Sequence, residues 1–304
     1  MEALKECRIC PRSCGVNRLA GETGFCGETG ELVNVARAGL HMWEEPCISG
    51  ERGSGTVFFA GCNLGCVYCQ NRQISTRKYN GVAVSIDRLA EIFTELQAQG
   101  AHNINLVTPT HYSLHIIEAA SKARASGLNI PIVYNCGGYE KPETIALLKD
   151  TVDIFLTDFK YFDAGTADAY SGAPDYFDAA LEALETMVDN VGEPVFDPEG
   201  IMQKGVIVRH MVLPGRAEQG AEILKCLYRR FGDSLVYSIM NQYTPPADVS
   251  LPEELRRGIF PEEYDCVLDA AERLGIQQGY IQEGGTVDES FIPAFDGFGV
   301  LKTQ

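Results

Sequence analysis

Past residue 55 the chain alternates between two patterns. Short apolar runs at 56–60, 103–108, 131–136, 153–160, 206–213 and 235–243 read as strands. Apolar residues recur at helical spacing over 86–99, 114–125, 142–149, 176–188, 218–231 and 262–274. Ser85 and Ser113 stand where helix N-caps are expected, and Gly100 and Gly127 where helices should stop. Most of the strand runs are apolar over much of their length, as strands covered on both faces are. Six strand–helix units in series predict an α/β fold, a partial (β/α)6 TIM-like barrel. Chemistry in such a fold gathers at the C-terminal ends of the strands.

The first 30 residues are turn-rich and too weakly periodic to bury a core, so a metal staple is expected there. A strand at 32–36 and a glycine-bearing connector follow. The chain thus divides into a small N-terminal cysteine-rich, metal-binding segment and connector over 1–52, a core over 53–245, and a C-terminal helix and extension over 246–304 that closes the core.

Composition adds exclusions. The 304 residues are 45% hydrophobic and 22% charged, as in soluble globular proteins. No run approaches the ~18 apolar residues of a membrane helix, and Met1–Cys7 lacks the apolar stretch of a signal peptide. A cytoplasmic location with no membrane partner is the expectation. A formal net charge of −17 repels phosphate backbones, so no nucleic-acid partner is expected.

Eight of the eleven cysteines fall before residue 70. In a reducing compartment such clustering points to metal. Cys62, Cys66 and Cys69 share one loop after the first core strand, in C-x3-C-x2-C spacing. Three thiolates there can hold three irons of a 4Fe–4S cluster, and no fourth cysteine follows nearby. One iron is then open, which suits an enzyme better than an electron carrier. Cys7, Cys10, Cys14 and Cys26 suit a second site, zinc or Fe–S, or remain as free thiols. Cys47 is a lone further candidate, and Cys226 and Cys266 read as small core residues.

The other strand ends nominate Thr108 to His111, Tyr134 to Gly138, Asp158 and Lys160, Arg209 and His210, and Met240 to Tyr243. Asp158 and Lys160 share a strand face, so they pair with each other or meet a ligand. Arg209, in an apolar strand, must find an anion. His111 is the histidine best placed for acid–base work. His210 should face away from Arg209, and His102 and His115 read as surface or packing residues.

The loop Gly61-Cys62-Asn63-Leu64-Gly65-Cys66-Val67-Tyr68-Cys69-Gln70-Asn71 resembles the radical S-adenosylmethionine (SAM) superfamily, and within it the activating enzymes of pyruvate formate-lyase. Cys10-Pro11-Arg12-Ser13-Cys14-Gly15-Val16-Asn17-Arg18 and Trp43-Glu44-Glu45-Pro46-Cys47-Ile48-Ser49-Gly50 resemble the branch called pyruvate formate-lyase activating enzyme-related. The resemblance spans essentially the whole chain. It implies a 4Fe–4S cluster and SAM, cleaved reductively to a 5′-deoxyadenosyl radical that abstracts hydrogen. It also implies an electron donor such as flavodoxin or ferredoxin. The substrate it suggests first is a protein or peptide. The rivals are a small molecule or peptide served by an N-terminal auxiliary cluster, and a non-catalytic Fe–S or zinc protein. By resemblance Tyr68 lies beside the adenine and Asp158 and Lys160 beside SAM and a monovalent cation. Asn135 falls at an acidic cation ligand, and Arg209 near the SAM carboxylate. The family's Gly-Gly-Glu motif is absent; Thr108-Pro109-Thr110-His111 occupies its place, with Thr110 offering a hydroxyl.

Overall fold

The computed structural model describes residues 1–76, 81–247, 249–282 and 292–302. The core is a sheet of parallel strands: β2 (Ser54–Phe59), β4 (Ile104–Val107), β5 (Ile132–Cys136), β6 (Ile154–Asp158), β8 (Met202–Met211), β9 (Val236–Met240) and β10 (Gly279–Ile281). Each pairs with its predecessor in the order β2-β4-β5-β6-β8-β9-β10, as in a barrel built stepwise. β2, β4, β5 and β9 are buried at every position, so their apolar runs are covered on both faces. β1 (Val33–His41) and β3 (Val82–Val84) extend the sheet antiparallel beyond β2, and β7 (Val195–Phe196) pairs antiparallel with β8. Among the described residues β10 and β3 do not pair, so the sheet stays an open, partial barrel.

Helices cover the sheet. α3 (Ile86–Ala98) packs on β1, β2 and α4 (Ser113–Ala125). α7 (Tyr176–Val191) packs on β8, α5 (Pro142–Leu147) and α6 (Ala164–Ser171); α8 (Ala217–Phe231) packs on α9 (Pro261–Leu274). Ser85 caps α3 by accepting from Arg88 N at 3.2 Å. Ser113 does not cap α4. A 3-10 turn over Thr110–Tyr112 runs straight into the helix, and Ser113 Oγ donates to Thr110 O at 2.8 Å.

Two expectations change at the ends of the chain. The strand expected at 32–36 continues to His41, because β1 pairs with β2 from Val35↔Phe59 to His41↔Ser54. Arg37 and Gly39 hide it in the sequence by breaking the apolar run. β10 is three half-exposed or exposed residues, too short to leave a pattern.

Since β1 runs opposite to β2, the chain turns at the N-terminal ends of the parallel strands. There it forms α1 (Pro46–Ser49), whose Cys47 and Ile48 pack on Val133, Ile154, Met202, Ile207 and Val236. This short helix closes that end of the barrel. The N-terminal segment lies at the opposite end. Cys7 and Gly15 close its first loop through Cys7 N–Val16 O and Gly15 N–Cys7 O, both 2.9 Å. Arg18, 1% exposed, donates to Glu28 O (3.1 Å), Thr29 O (2.8 Å) and His111 O (2.7 Å). Three carbonyls bound by one buried guanidinium thus anchor a segment that has little apolar core of its own. Among the described residues no helix is long and apolar enough to cross a membrane.

Candidate active site

β2 ends at Phe59 and the chain enters the cysteine loop through Gly61, whose φ is +80°. A Cβ there would lie 2.8 Å from the Cys26 carbonyl and 2.7 Å from Glu28 Cγ, so glycine is required twice over. Cys62, Cys66 and Cys69 then line one cavity of about 470 Å³ at the C-terminal end of the barrel. Each sulfur receives a hydrogen bond. Leu64 N reaches Cys62 Sγ at 3.3 Å, Ser75 Oγ reaches Cys69 Sγ at 3.5 Å, and Ser171 Oγ reaches Cys66 Sγ at 3.0 Å with Tyr161 OH at 3.7 Å.

This donor set fits a 4Fe–4S cluster. Three soft ligands come from one loop, with N–H and O–H donors already turned to the sulfurs. Burial pushes the Cys62 thiol up to about 12, and the charges of Cys69 and Cys66 add to it. The bare Cys62 thiol therefore stays protonated, and iron must displace its proton. Among the described residues no three Cys, His, Asp or Glu side chains converge as closely as one metal ion needs. A cubane does not ask for that, since its cysteines are spread over separate irons. Cys136 also lines the cavity, with its thiol turned to Thr157 Oγ1 at 3.4 Å.

Opposite the loop stands a charged wall. Lys160 Nζ donates to Asp158 Oδ2 at 2.5 Å, and Arg209 Nε donates to Asp158 Oδ1 at 2.9 Å. Arg209 continues to Glu44 Oε2 at 3.2 Å and Asn135 Oδ1 at 2.6 Å. Glu44 Oε1 accepts from Asn105 Nδ2 (3.0 Å) and Asn135 Nδ2 (3.2 Å). Burial alone would raise the Asp158 carboxyl, but Arg209 and Lys160 outweigh it and hold it below its ordinary value. Burial would lower Lys160, yet the Asp158 carboxylate outweighs it and keeps it raised. Burial raises both Glu44 and Glu45.

The residues named from the sequence thus largely converge. Tyr68, Asn135, Asp158, Lys160 and Arg209 all line the cavity. Tyr68 is 3% exposed, its hydroxyl 2.8 Å from Tyr161 OH and its ring edge-on to Tyr170 and Tyr243. The anion expected for Arg209 is Asp158 together with Glu44. The oxygens expected for a monovalent cation, Asp158 and Asn135 Oδ1, are occupied by Lys160 and Arg209.

Thr110 is a correction. It does not line the cavity; its hydroxyl donates to buried Glu140 Oε1 at 2.6 Å. Thr108 lines it instead, at φ +58°, a left-handed turn that sends the following residues inward. His111 is a second correction. It is 2% exposed and held by Ala60 O at 2.7 Å; burial and the Arg18 charge push its pKa to about 3, so it packs as a neutral ring. His210 turns from the barrel interior to the α8 layer and bonds Phe159 O at 2.8 Å. His102 and His115 are packing residues, buried and bonded to Arg52 and to Gly30 O. Cys47 sits in α1, away from the cysteine loop. Cys226 and Cys266 are half-buried rather than core.

Glu44, Glu45, Ser171 and Tyr161 were missed. The two glutamates sit in a connector before the core, and Ser171 ends a helix 105 residues from Cys66. Only the Trp43-Glu44-Glu45-Pro46 run signalled the first pair.

The N-terminal cysteines gather behind the cluster loop. Cys10 feels the charges of Cys26 and Cys14, and Cys26 that of Cys7, without the four meeting at one point. Burial pushes Cys10 up to about 12 and raises Cys26. Arg12 ties this segment to the cluster loop. Its guanidinium donates to Asn63 O (2.9 Å), Leu64 O (3.1 Å), Ser171 O (2.8 Å) and Gly172 O, and stacks 3.8 Å above Phe25.

Known proteins share this frame. The family model described as "Radical SAM superfamily" matches residues 56–226. An uncharacterized protein of Methanocaldococcus jannaschii is 29% identical over 285 residues, covering 91% of this chain and 77% of that one. Streptococcus suis SuiB bound to precursor peptide SuiA superposes with a TM-score of 0.52 at 12% identity, over 74% of this chain and 47% of that one. Methylornithine synthase (PylB) gives 0.51 at 14% identity, over 72% and 60%. This chain therefore spans about half to three-fifths of those solved chains, and the likeness to them is one of fold.

Proposed function

The chain belongs to the radical SAM superfamily, whose members use a 4Fe–4S cluster and SAM, and from that premise we propose that it is an enzyme acting on a protein or peptide in the manner of the pyruvate formate-lyase activating enzymes. The observation that carries this reading is the meeting of Cys62, Cys66 and Cys69 with Asp158, Lys160 and Arg209 around one cavity. When bound, the reduced cluster supplies the electron that splits SAM into methionine and a 5′-deoxyadenosyl radical for hydrogen abstraction.

The chain's own residues supply position and charge. Cys62, Cys66 and Cys69 would hold the cluster and leave it open to SAM. Tyr68, fixed by Tyr161, offers a rigid aromatic wall to the adenine. Lys160 and Arg209 present cations to the SAM carboxylate, and Asp158 holds both in place. Ser171, held by the Tyr161 hydroxyl, donates to Cys66 and would so stabilise added negative charge at the cluster. The electron comes from a donor such as flavodoxin or ferredoxin.

A second reading gives the N-terminal cysteines an electron-transfer role. Arg12 supports it, since that one side chain binds the carbonyls of Asn63 and Leu64 inside the cluster loop. Cys7, Cys10, Cys14 and Cys26 would then hold an auxiliary cluster instead of structural zinc, serving a small molecule or peptide. Metal analysis of a Cys62/Cys66/Cys69 triple-alanine variant decides. About four irons per chain supports the auxiliary cluster, and zinc without iron removes it.

The main reading is tested by anaerobic reconstitution, dithionite reduction and addition of SAM. 5′-Deoxyadenosine should form in the unaltered protein. A yield no higher than that of Cys66→Ala would leave a non-catalytic Fe–S or zinc protein.

A further inference from the structure

The cavity has a second wall that SAM chemistry does not account for. Glu44 and Glu45 enter it from the N-terminal end of the barrel, on the turn before α1. Three carboxylates (Glu44, Glu45 and Asp158) face two cations (Lys160 and Arg209) around this cavity. Both Asp158 oxygens are bonded to the cations, and Arg209 is shared with Glu44. Glu45 is left over. It is 8% exposed and lines the cavity, yet its Oε2 is buried without a hydrogen-bond partner.

An ordinary structural duty does not explain Glu45. It occupies the N-cap position of α1, but its side chain makes no cap bond. Burial raises its pKa and outweighs the nearby Arg209 charge, and the Glu44 charge adds to the rise. Burying a carboxylate oxygen without a donor is unfavourable, so Glu45 is short of a donor. What fits is a ligand that brings both positive charge and several N–H groups. Exposed apolar side chains stand on the rim of the same cavity, Trp43, Ile281 and Ile292 among them. They suit an alkyl stem leading to such a group.

We propose that Glu45, with Glu44 beside it, is a subsite for a primary alkylammonium group of the substrate. This rests on the enzymatic reading above and narrows the substrate class to one carrying an amine. A lysine side chain or another aliphatic amine meets that description. Arg209, bonded to Glu44 at 3.2 Å, holds the Glu44 carboxylate beside the subsite.

The test reads binding and does not need turnover. The full chain with its cluster reconstituted is titrated calorimetrically with n-butylammonium, 1-butanol and tetramethylammonium, each with and without saturating SAM. Butylammonium should bind at least tenfold more tightly than either comparison probe, and SAM should not displace it. Glu45→Gln should bring butylammonium to the level of 1-butanol. Equal binding of the charged and neutral probes by the unaltered protein overturns the subsite, even if Glu45→Gln does not fold. Displacement by SAM, or by sodium or potassium at equal concentration, overturns it as well. Absence of 5′-deoxyadenosine would remove the proposed reaction and leave this binding result standing. Equal probe binding would remove the subsite and leave the reaction.

Discussion

Ser171 Oγ lies 3.0 Å from Cys66 Sγ and donates to it, although the two residues are 105 positions apart. Tyr161 OH bonds the same Ser171 hydroxyl at 2.5 Å, so the donor is held in place. A hydrogen bond to a ligand sulfur favours the reduced, more negative cluster. Ser171→Ala should therefore lower the cluster's reduction potential. A net bond of ~0.5–1.5 kcal/mol converts to about 20–60 mV for one electron. Redox titration followed by electron paramagnetic resonance measures this. An unchanged potential would show that the bond does not tune the cluster.

Arg12 holds the N-terminal segment to the cluster loop through carbonyls of Asn63, Leu64, Ser171 and Gly172. Arg12→Ala should cost about 2–4 kcal/mol, since charge-assisted bonds to buried acceptors are lost together. Arg12→Lys should not rescue it, because an ammonium cannot reproduce the planar fork. Urea denaturation gives the free energies, and limited proteolysis should show earlier cleavage within residues 1–30.

Arg209 is the hub of the charged wall, bonded to Asp158, Glu44 and Asn135. Arg209→Met leaves two buried carboxylates facing each other and should destabilise the fold by about 3–5 kcal/mol. Adding Glu44→Gln to that variant should recover part of the loss, because the second change removes one uncompensated charge. A double-mutant cycle by denaturation reads the coupling, expected at ~1 kcal/mol or more. Additive losses would mean that the two side chains act independently.

Glu140 is fully buried beneath the Thr108 turn, and burial pushes its pKa from 4.5 to about 8. The sign follows from proton counting. Below pH 4.5 it is protonated in both states and contributes no pH dependence. Between 4.5 and about 8 the unfolded chain has lost the proton and the folded chain keeps it, so stability falls as pH rises. The slope is about 1.4 kcal/mol per pH unit from this group, and it vanishes above the folded pKa. Glu140→Gln should remove that share of the fall. Denaturation midpoints from pH 5 to 9 check it, and parallel curves for the two proteins would refute it.

The sequence located the cysteine loop because its ligand spacing is local: three cysteines within eight residues, after an apolar run. It brought Asn135, Asp158, Lys160 and Arg209 to the cavity because a strand's C-terminal end can be read from where its apolar run stops, whereas Tyr68 was named by the loop's resemblance alone. It misplaced Thr110 and His111, two and three residues past Thr108. One left-handed residue decided which of the neighbouring side chains reaches the cavity, and backbone handedness leaves no trace in a threonine.

The alternation of strands and helices, and the gathering of three cysteines on one loop after the first core strand, were legible in the sequence, since each depends on neighbours along the chain. What those groups meet is set by the packing of the whole chain. Glu44 reaches Arg209 across 165 positions because β1 runs antiparallel to β2 and delivers the α1 turn to the far end of the barrel. Ser171 reaches Cys66 because α6 ends over the cluster loop. Contacts of that separation arise from strand direction and helix placement, which the packing of the whole sheet sets and no local pattern records.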